Sequence, residues 1–291
     1  MKALGIILAG GQSERLKSLT EIRASSALPI GSCYRAIDFP ISNMSNSGIS
    51  KVAVITQYNS RSLHDHLSSA KWWDLGRKHG GLFIFNPFSS NGNQNWFKGT
   101  ADAIYQNMTY LNRSNEEYVI ITSGESVYKI DFNNVIDYHE KKGADITIVY
   151  QDIANGRLNP HEFGIMEIDS EGRMLNFEEK PVDPQTSLAS LGIYVISRKM
   201  LMGLLKQSVA DSRYDLVKDI IITYRKSLKI YGCPFEGYWA PINSVQNYFS
   251  ANMDFLRREI HEEFLRQAPY IETKPKDEPP AKYNHSAEVK D

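Results

Sequence analysis

Apolar residues run unbroken from Ala3 to Leu8 and recur in Lys51 to Thr56, Tyr118 to Thr122 and Asp145 to Tyr150. Short continuous runs of this kind predict strands covered on both faces. Between them the spacing changes to that of helices. Ser60 to Ser69 predicts a helix capped by a serine, and Ala101 to Leu111 and Phe132 to Lys142 predict two more. Strand and helix in alternation predict an α/β fold, a mostly parallel Rossmann-like sheet with helices on both faces.

The second half is more mixed. Phe163 to Ile168 and Arg173 to Phe177 flank Glu171-Gly172 and predict a hairpin turning at the glycine. Leu188 to Ile196 and Ser227 to Tyr231 predict strands. Arg198 to Lys206, Tyr214 to Tyr224, and Ser244 to Arg266 with one break predict helices. After Gln267, Pro269, Pro275, Pro279 and Pro280 lie among charged residues with little apolar content. The expectation is one domain over 1–267, followed by a linker or extended arm over 268–291.

Composition narrows the function. The 291 residues are 42% hydrophobic and 23% charged, with a formal net charge of -1. A general nucleic-acid surface needs clustered positive charge, which this balance does not supply. Two widely separated cysteines, Cys33 and Cys233, make neither a disulfide framework nor a metal site. No leader-like or membrane-spanning apolar stretch is evident, so a cytoplasmic protein without a membrane partner is expected. His64 and His66, two apart, point to different faces of a helix and carry no site.

The first strand ends in Leu8-Ala9-Gly10-Gly11, followed by Gln12-Ser13-Glu14-Arg15-Leu16. Such a turn presents backbone N–H groups to an anion, and Arg15 is placed to fork onto a phosphate. The spacing fits neither a Walker loop nor G-x-G-x-x-G, and a plain tight turn has the same look. Longer segments add weight. These are Leu19-Thr20-Glu21-Ile22-Arg23-Ala24, Pro29-Ile30-Gly31, Tyr34-Arg35-Ala36-Ile37-Asp38-Phe39, Ser42-Asn43 and Asn46-Ser47-Gly48-Ile49. Lys98-Gly99-Thr100-Ala101-Asp102-Ala103, Phe177-Glu178-Glu179-Lys180-Pro181, Ser190-Leu191-Gly192-Ile193-Tyr194 and Gly237-Tyr238-Trp239 continue the pattern. Together they resemble ADP-glucose pyrophosphorylase (glucose-1-phosphate adenylyltransferase), a sugar nucleotidyltransferase family of bacterial glycogen synthesis.

That resemblance implies a nucleotide site at Leu8, Ala9, Gly10, Gly11, Gln57, Gly99, Thr100 and Ala101. It implies a sugar-phosphate site at Glu179, Lys180, Ser190, Gly192, Asp215 and Lys218, with Arg15 and residue 125 as catalytic positions. It also implies ATP and Mg2+, the ion being held by two aspartates. One of these lies in a Gly-Asp pair, which here is Gly124-Glu125. The other lies in GYWxDVGT, which here reads Gly237-Tyr238-Trp239-Ala240-Pro241-Ile242-Asn243-Ser244. Glu125 is one methylene too long, and Pro241 has no ligand atom. Magnesium requires near-octahedral ligands at about 2.0–2.1 Å, so no metal seat is expected unless Asp102 or Asp215 substitutes. Ser13 and Glu14 replace a glycine and a threonine of the loop. The lysine of the RAKPA segment is lost in Arg23-Ala24-Ser25-Ser26-Ala27.

These losses resemble the regulatory, GlgD-type subunit, which assembles with a catalytic GlgC-type subunit. The expected role is therefore non-catalytic or weakly catalytic binding of nucleotide or sugar phosphate in a hetero-oligomer. An active adenylyltransferase with a rearranged metal site and a free-standing nucleotide or sugar-phosphate sensor are the alternatives. The resemblance further implies a C-terminal left-handed β-helix domain, which would begin just beyond the Pro280-Ala281-Lys282-Tyr283 lead-in and is absent from this sequence.

Overall fold

A computed structural model describes residues 2–11, 14–76, 80–88, 96–275, 279 and 282–288. Its first half contains β1 (Ala3–Leu8), β2 (Pro29–Ile30), β3 (Tyr34–Arg35), α1 (Asp38–Asn46), β4 (Lys51–Ile55), α2 (Arg61–Leu67) and β5 (Gly81–Phe85). Then come α3 (Thr100–Gln106), α4 (Met108–Asn112), β6 (Tyr118–Ser123), β7 (Ser126–Tyr128), α5 (Phe132–Lys142) and β8 (Ile146–Asp152). The second half holds β9 (Gly164–Ile168), β10 (Met174–Glu179), β11 (Leu188–Ser197), α6 (Arg198–Ala210) and a π-helical stretch, Leu216–Ile222. It closes with β12 (Ile230–Pro234), β13 (Trp239–Pro241), α7 (Val245–Asp254) and α8 (Arg258–Leu265).

Nine of these strands make one sheet. β5, β4, β1 and β6 lie side by side in that order, all parallel. β11 runs antiparallel between β6 and β8, and β8 pairs in parallel with β12. The β9–β10 hairpin joins β11 through Ala189 and Ile165. The parallel α/β sheet expected from the sequence is therefore present, with β11 and the hairpin as its antiparallel part.

Residues alternate between two packed layers. On β1, Leu4 and Ile6 enter one layer, and Ala3 and Ile7 the other; on β4, Ala53 and Ile55 oppose Val52 and Val54. Because both faces are covered, the sequence shows continuous apolar runs instead of alternation. Each of the valines, leucines and isoleucines among them contributes about 1.5–3 kcal/mol on burial. A third cluster sits outside the sheet, where Phe39, Phe255 and Phe264 meet with ring centroids 5.6–6.0 Å apart. Leu16, Leu28, Ile242 and Ile271 complete it, so α7, α8 and the segment after them pack on the N-terminal loops.

Several local expectations change. The helix foreseen over 101–111 is two helices hinged at Asn107, whose Nδ2 donates back to the Ala103 carbonyl at 2.8 Å. Ser60 does not cap α2 with its side chain; its backbone carbonyl accepts from His64 N at 2.9 Å. The helix expected over 214–224 is largely π-helical. The arm after Gln267 has no regular structure through 275, yet Ile271 is buried and the Thr273 hydroxyl donates to Asp38 Oδ2 at 2.6 Å. Pro280 and Ala281, part of the suggested lead-in, lie outside the described residues. No helix among the described residues is long and apolar enough to cross a membrane.

Candidate functional site

The parallel strands β1, β4 and β6 end at Leu8, Ile55 and Ser123, and all three residues line one cleft. This is the carboxyl edge of the sheet, at the point where the strand order reverses about β1. Open α/β sheets bind ligands there. The cleft has two connected parts. The larger, about 500 Å³, is lined by Leu8, Gly10, Gly11, Gln57, Gly99, Thr100, Phe97 and Leu216 among others. The smaller, about 260 Å³, is lined by Glu162, Glu179, Ser190, Trp239, Pro241 and Asn243 among others. Ser123, Glu125, Gly192, Tyr194 and Val217 line both parts.

Each half has its own chemistry. The larger half offers flat apolar walls at Ile55, Phe97 and Leu216, with Gln57 as a polar group. Gln57 Oε1 accepts from Phe97 N at 2.7 Å, which fixes the amide and turns its N–H groups away from that bond. This suits an aromatic base. The smaller half sets the carboxylates of Glu162 and Glu179, the Ser190 hydroxyl and the Asn243 amide among the rings of Phe163, Phe177, Tyr194 and Trp239.

The floor at Glu125 is where the sequence departures meet. Ser25 Oγ donates to Glu125 Oε1 at 2.5 Å. Ser25 stands where the resemblance implies a lysine, so the two positions at which the sequence departs from that pattern touch. Burial pushes the Glu125 carboxyl above the usual carboxylate range, and the Ser25 hydroxyl opposes this only in part. On the other side, β13 pairs with β7 so that Pro241 stands opposite Ser126, and Ile242 N donates to the Glu125 carbonyl at 2.7 Å. Residues 125 and 241 are thus brought to one place, and only one of them carries a carboxylate. Among the described residues, no group of three or more His, Cys, Asp or Glu side chains is placed to hold a metal ion.

Asp102 and Asp215 are both committed elsewhere. Asp102 Oδ2 accepts from Lys98 N and Gln106 Nε2, each at 2.8 Å. Asp215 Oδ1 accepts from Val217 N at 2.9 Å and Lys218 N at 2.8 Å, capping the π-helical stretch. These two segments are pressed together at Gly99. A Cβ there would lie 2.5 Å from the Tyr214 carbonyl oxygen, which also accepts from Ala101 N at 2.8 Å. Ala9 and Ala101 are buried beneath the cleft and support it.

Glu179 lies in the smaller half. Burial pushes its carboxyl up; Lys180 opposes this, Asp215 adds to it, and Lys218 opposes it. Lys180 holds a left-handed backbone (φ 52), an uncommon state for a residue with a Cβ, and its Nζ is 3.9 Å from Glu179 Oε1. Asp215, Lys180 and Lys218 surround Glu179 electrostatically without lining the cavity. Arg15 is paired with an internal carboxylate: its Nη1 is 3.3 Å from Glu162 Oε1, and Glu162 lines the smaller half. Gln12 and Ser13 lie outside the described residues. Sequence reasoning missed Glu162, Ser123, Tyr58 and Val217, because each becomes a site residue only through contacts distant in sequence.

This fold and cleft are those of a nucleotidyl transferase. The model of that family, described as nucleotidyl transferase, matches residues 4–258. The chain is 43% identical over 256 residues to the glucose-1-phosphate adenylyltransferase of Halalkalibacterium halodurans, covering 87% of this chain and 66% of that protein. It is 38% identical to the enzyme of that name from Geobacillus stearothermophilus, over 100% of this chain and 75% of that protein. The Bacillus subtilis protein of that name is 36% identical, over 100% of this chain and 77% of its own length. The chain therefore belongs to the nucleotidyl transferase family, in its glucose-1-phosphate adenylyltransferase branch. It spans roughly two thirds to three quarters of the length of these relatives.

Proposed function

We propose that this chain is a regulatory subunit of glucose-1-phosphate adenylyltransferase, which binds ATP and glucose 1-phosphate but converts them poorly or not at all. In the reaction of its relatives' name, a phosphate oxygen of glucose 1-phosphate attacks the α-phosphorus of ATP, and pyrophosphate leaves. ATP would place its base between Ile55, Phe97 and Leu216, with Gln57 on its edge. The sugar phosphate would lie along Ser190, Gly192 and Glu179, with Lys180 and Lys218 close enough to draw its charge. The two ligands would then meet over Glu125.

The observation that carries this reading is Pro241 beside Glu125. Magnesium, when bound, neutralises the phosphates in such chemistry and contributes several kcal/mol of transition-state stabilisation. The residues present do not fit it. One carboxylate is engaged by Ser25, the opposing position is proline, and Asp102 and Asp215 are spent on backbone N–H groups. The nucleotide and sugar walls are otherwise well formed, which supports binding without turnover. A catalytic subunit of the same family would supply the chemistry.

The test is ADP-glucose formation by the purified chain, alone and mixed with a catalytic subunit. The expected result is negligible product alone and altered kinetics in the mixture. Turnover by the isolated chain at an ordinary rate, about 1–1000 per second, would instead establish an active enzyme with a rearranged site.

A further inference from the structure

Glu162 is not part of the site as the sequence describes it, yet three side chains from two distant segments converge on it. Arg15 Nη1 lies 3.3 Å from Oε1. Asn247 Nδ2 donates to Oε2 at 3.0 Å, and Asn243 Nδ2 to the same oxygen at 3.3 Å. Asn247 Nδ2 also donates to Asn243 Oδ1 at 2.6 Å, which locks the two amides together. The turn that carries Glu162 is itself fixed. Asn159 Oδ1 accepts from His161 N at 3.2 Å, and the His161 ring is 2.8 Å from the Pro181 carbonyl. Asn243 stands where the resembled GYWxDVGT pattern has glycine, two residues after Pro241.

The placement has a consequence. Glu162 and Asn243 both line the smaller half of the cleft. The Glu162 side chain is 19% exposed, whereas Arg15 is 52% exposed. The carboxylate is the better-buried and more fully bonded partner, and the arginine the more exposed one. A guanidinium on a phosphate-binding loop is thereby held by an internal anion at the cleft, in the position a ligand phosphate would compete for. We propose that Glu162, seated by Asn243 and Asn247, is an internal counter-anion that clasps Arg15 at the smaller half of the cleft, and that a phosphate-bearing ligand must displace it to recruit Arg15. This rests on the reading above that the cleft takes a nucleotide and a sugar phosphate.

The clasp differs from simple repulsion by a carboxylate in the cleft. Repulsion acts on an incoming anion whether or not Arg15 is present. The clasp acts only through Arg15. Titration calorimetry with ATP and with glucose 1-phosphate, without metal, on wild type, Glu162→Gln, Arg15→Ala and the double variant separates them. Glu162→Gln is expected to tighten at least one ligand about two- to fivefold, the scale of a partly exposed ion pair. Arg15→Ala is expected to weaken the same ligand, and Glu162→Gln is expected to add nothing in the Arg15→Ala background. Asn247→Ala loosens the clasp without touching either charge, and should tighten the ligand in the same direction by less. It serves as the second probe if Glu162→Gln fails to fold.

Unchanged affinity in Glu162→Gln, or equal tightening with and without Arg15, overturns the clasp. If wild type binds ATP or glucose 1-phosphate, those results leave the functional reading standing. If neither wild type nor any variant binds either ligand, both the clasp and the reading fail.

Discussion

Residue 125 concentrates the physical argument. Its carboxyl is half-buried at the cleft and bonded to Ser25, with no cation among its described partners, so desolvation raises its proton affinity in the folded state. A carboxyl whose folded pKa is raised contributes stability below its unfolded pKa and loses it as pH rises through the folded value. Above that window the partly desolvated charge weakens the fold. Glu125→Gln is therefore expected to melt higher than wild type at pH 8, with the difference shrinking as pH falls to 4. A pH series of thermal melts checks this; a difference that grows toward acid would reverse the sign and reject the assignment. Gly99 supports a second prediction at this scale. A methyl group at 99 meets the Tyr214 carbonyl, so Gly99→Ala is expected to cost about 1–3 kcal/mol of stability through overpacking. Urea unfolding measures it, and ATP affinity should fall with it because Gly99 and Thr100 line the larger cavity.

Elements explain which of these residues were legible in advance. β1, β4, β6 and α5 came directly from apolar spacing, because each is packed on both sides or carries one clear apolar stripe. Phe132–Lys142 coincides with its expected span, helped by Asp131 capping Asn133 N and Gly143 ending it in the left-handed state. The split at Asn107 was not legible, since an asparagine bonding its own helix looks like any polar position. Nor was the π-helical stretch. Its start depends on Asp215 accepting two backbone N–H groups, a cap that sequence reasoning had assigned to sugar binding. Asp215→Ala should destabilise the fold by about 0.5–2 kcal/mol, the range for a lost cap. Asp215→Asn should keep most of that stability. If stability is indifferent to both while sugar-phosphate binding collapses, the capping account is wrong.

At the scale of the molecule, the site depends on parts far apart in sequence. β13 delivers Pro241 next to Glu125, and the 23–27 loop delivers Ser25 to its other side. Motif matching located all three positions but could not show that they touch. The same holds for the arm after Gln267, whose proline content hid a docked segment. Ile271 is 3% exposed, Trp73 Nε1 donates to the Glu272 carbonyl at 2.9 Å, and Thr273 reaches Asp38. Asp38 in turn lies 2.6 Å from His66 in the interior. Ile271→Ala is expected to cost about 2–5 kcal/mol, the range for a buried aliphatic cut to a methyl. A change under about 0.5 kcal/mol in urea unfolding, the scale of an ordinary surface substitution, would show that the arm is not part of the fold.

The central claim is that this cleft keeps the walls for both reactants and lacks the second carboxylate at 241. Pyrophosphate release from ATP and glucose 1-phosphate with magnesium, by wild type and by Glu125→Asp/Pro241→Asp, tests it most directly. The account predicts a negligible wild-type rate and a gain of about a hundredfold or more in the double variant, equivalent to roughly 2.7 kcal/mol of restored transition-state stabilisation. Wild-type turnover equal to that of the double variant would contradict it.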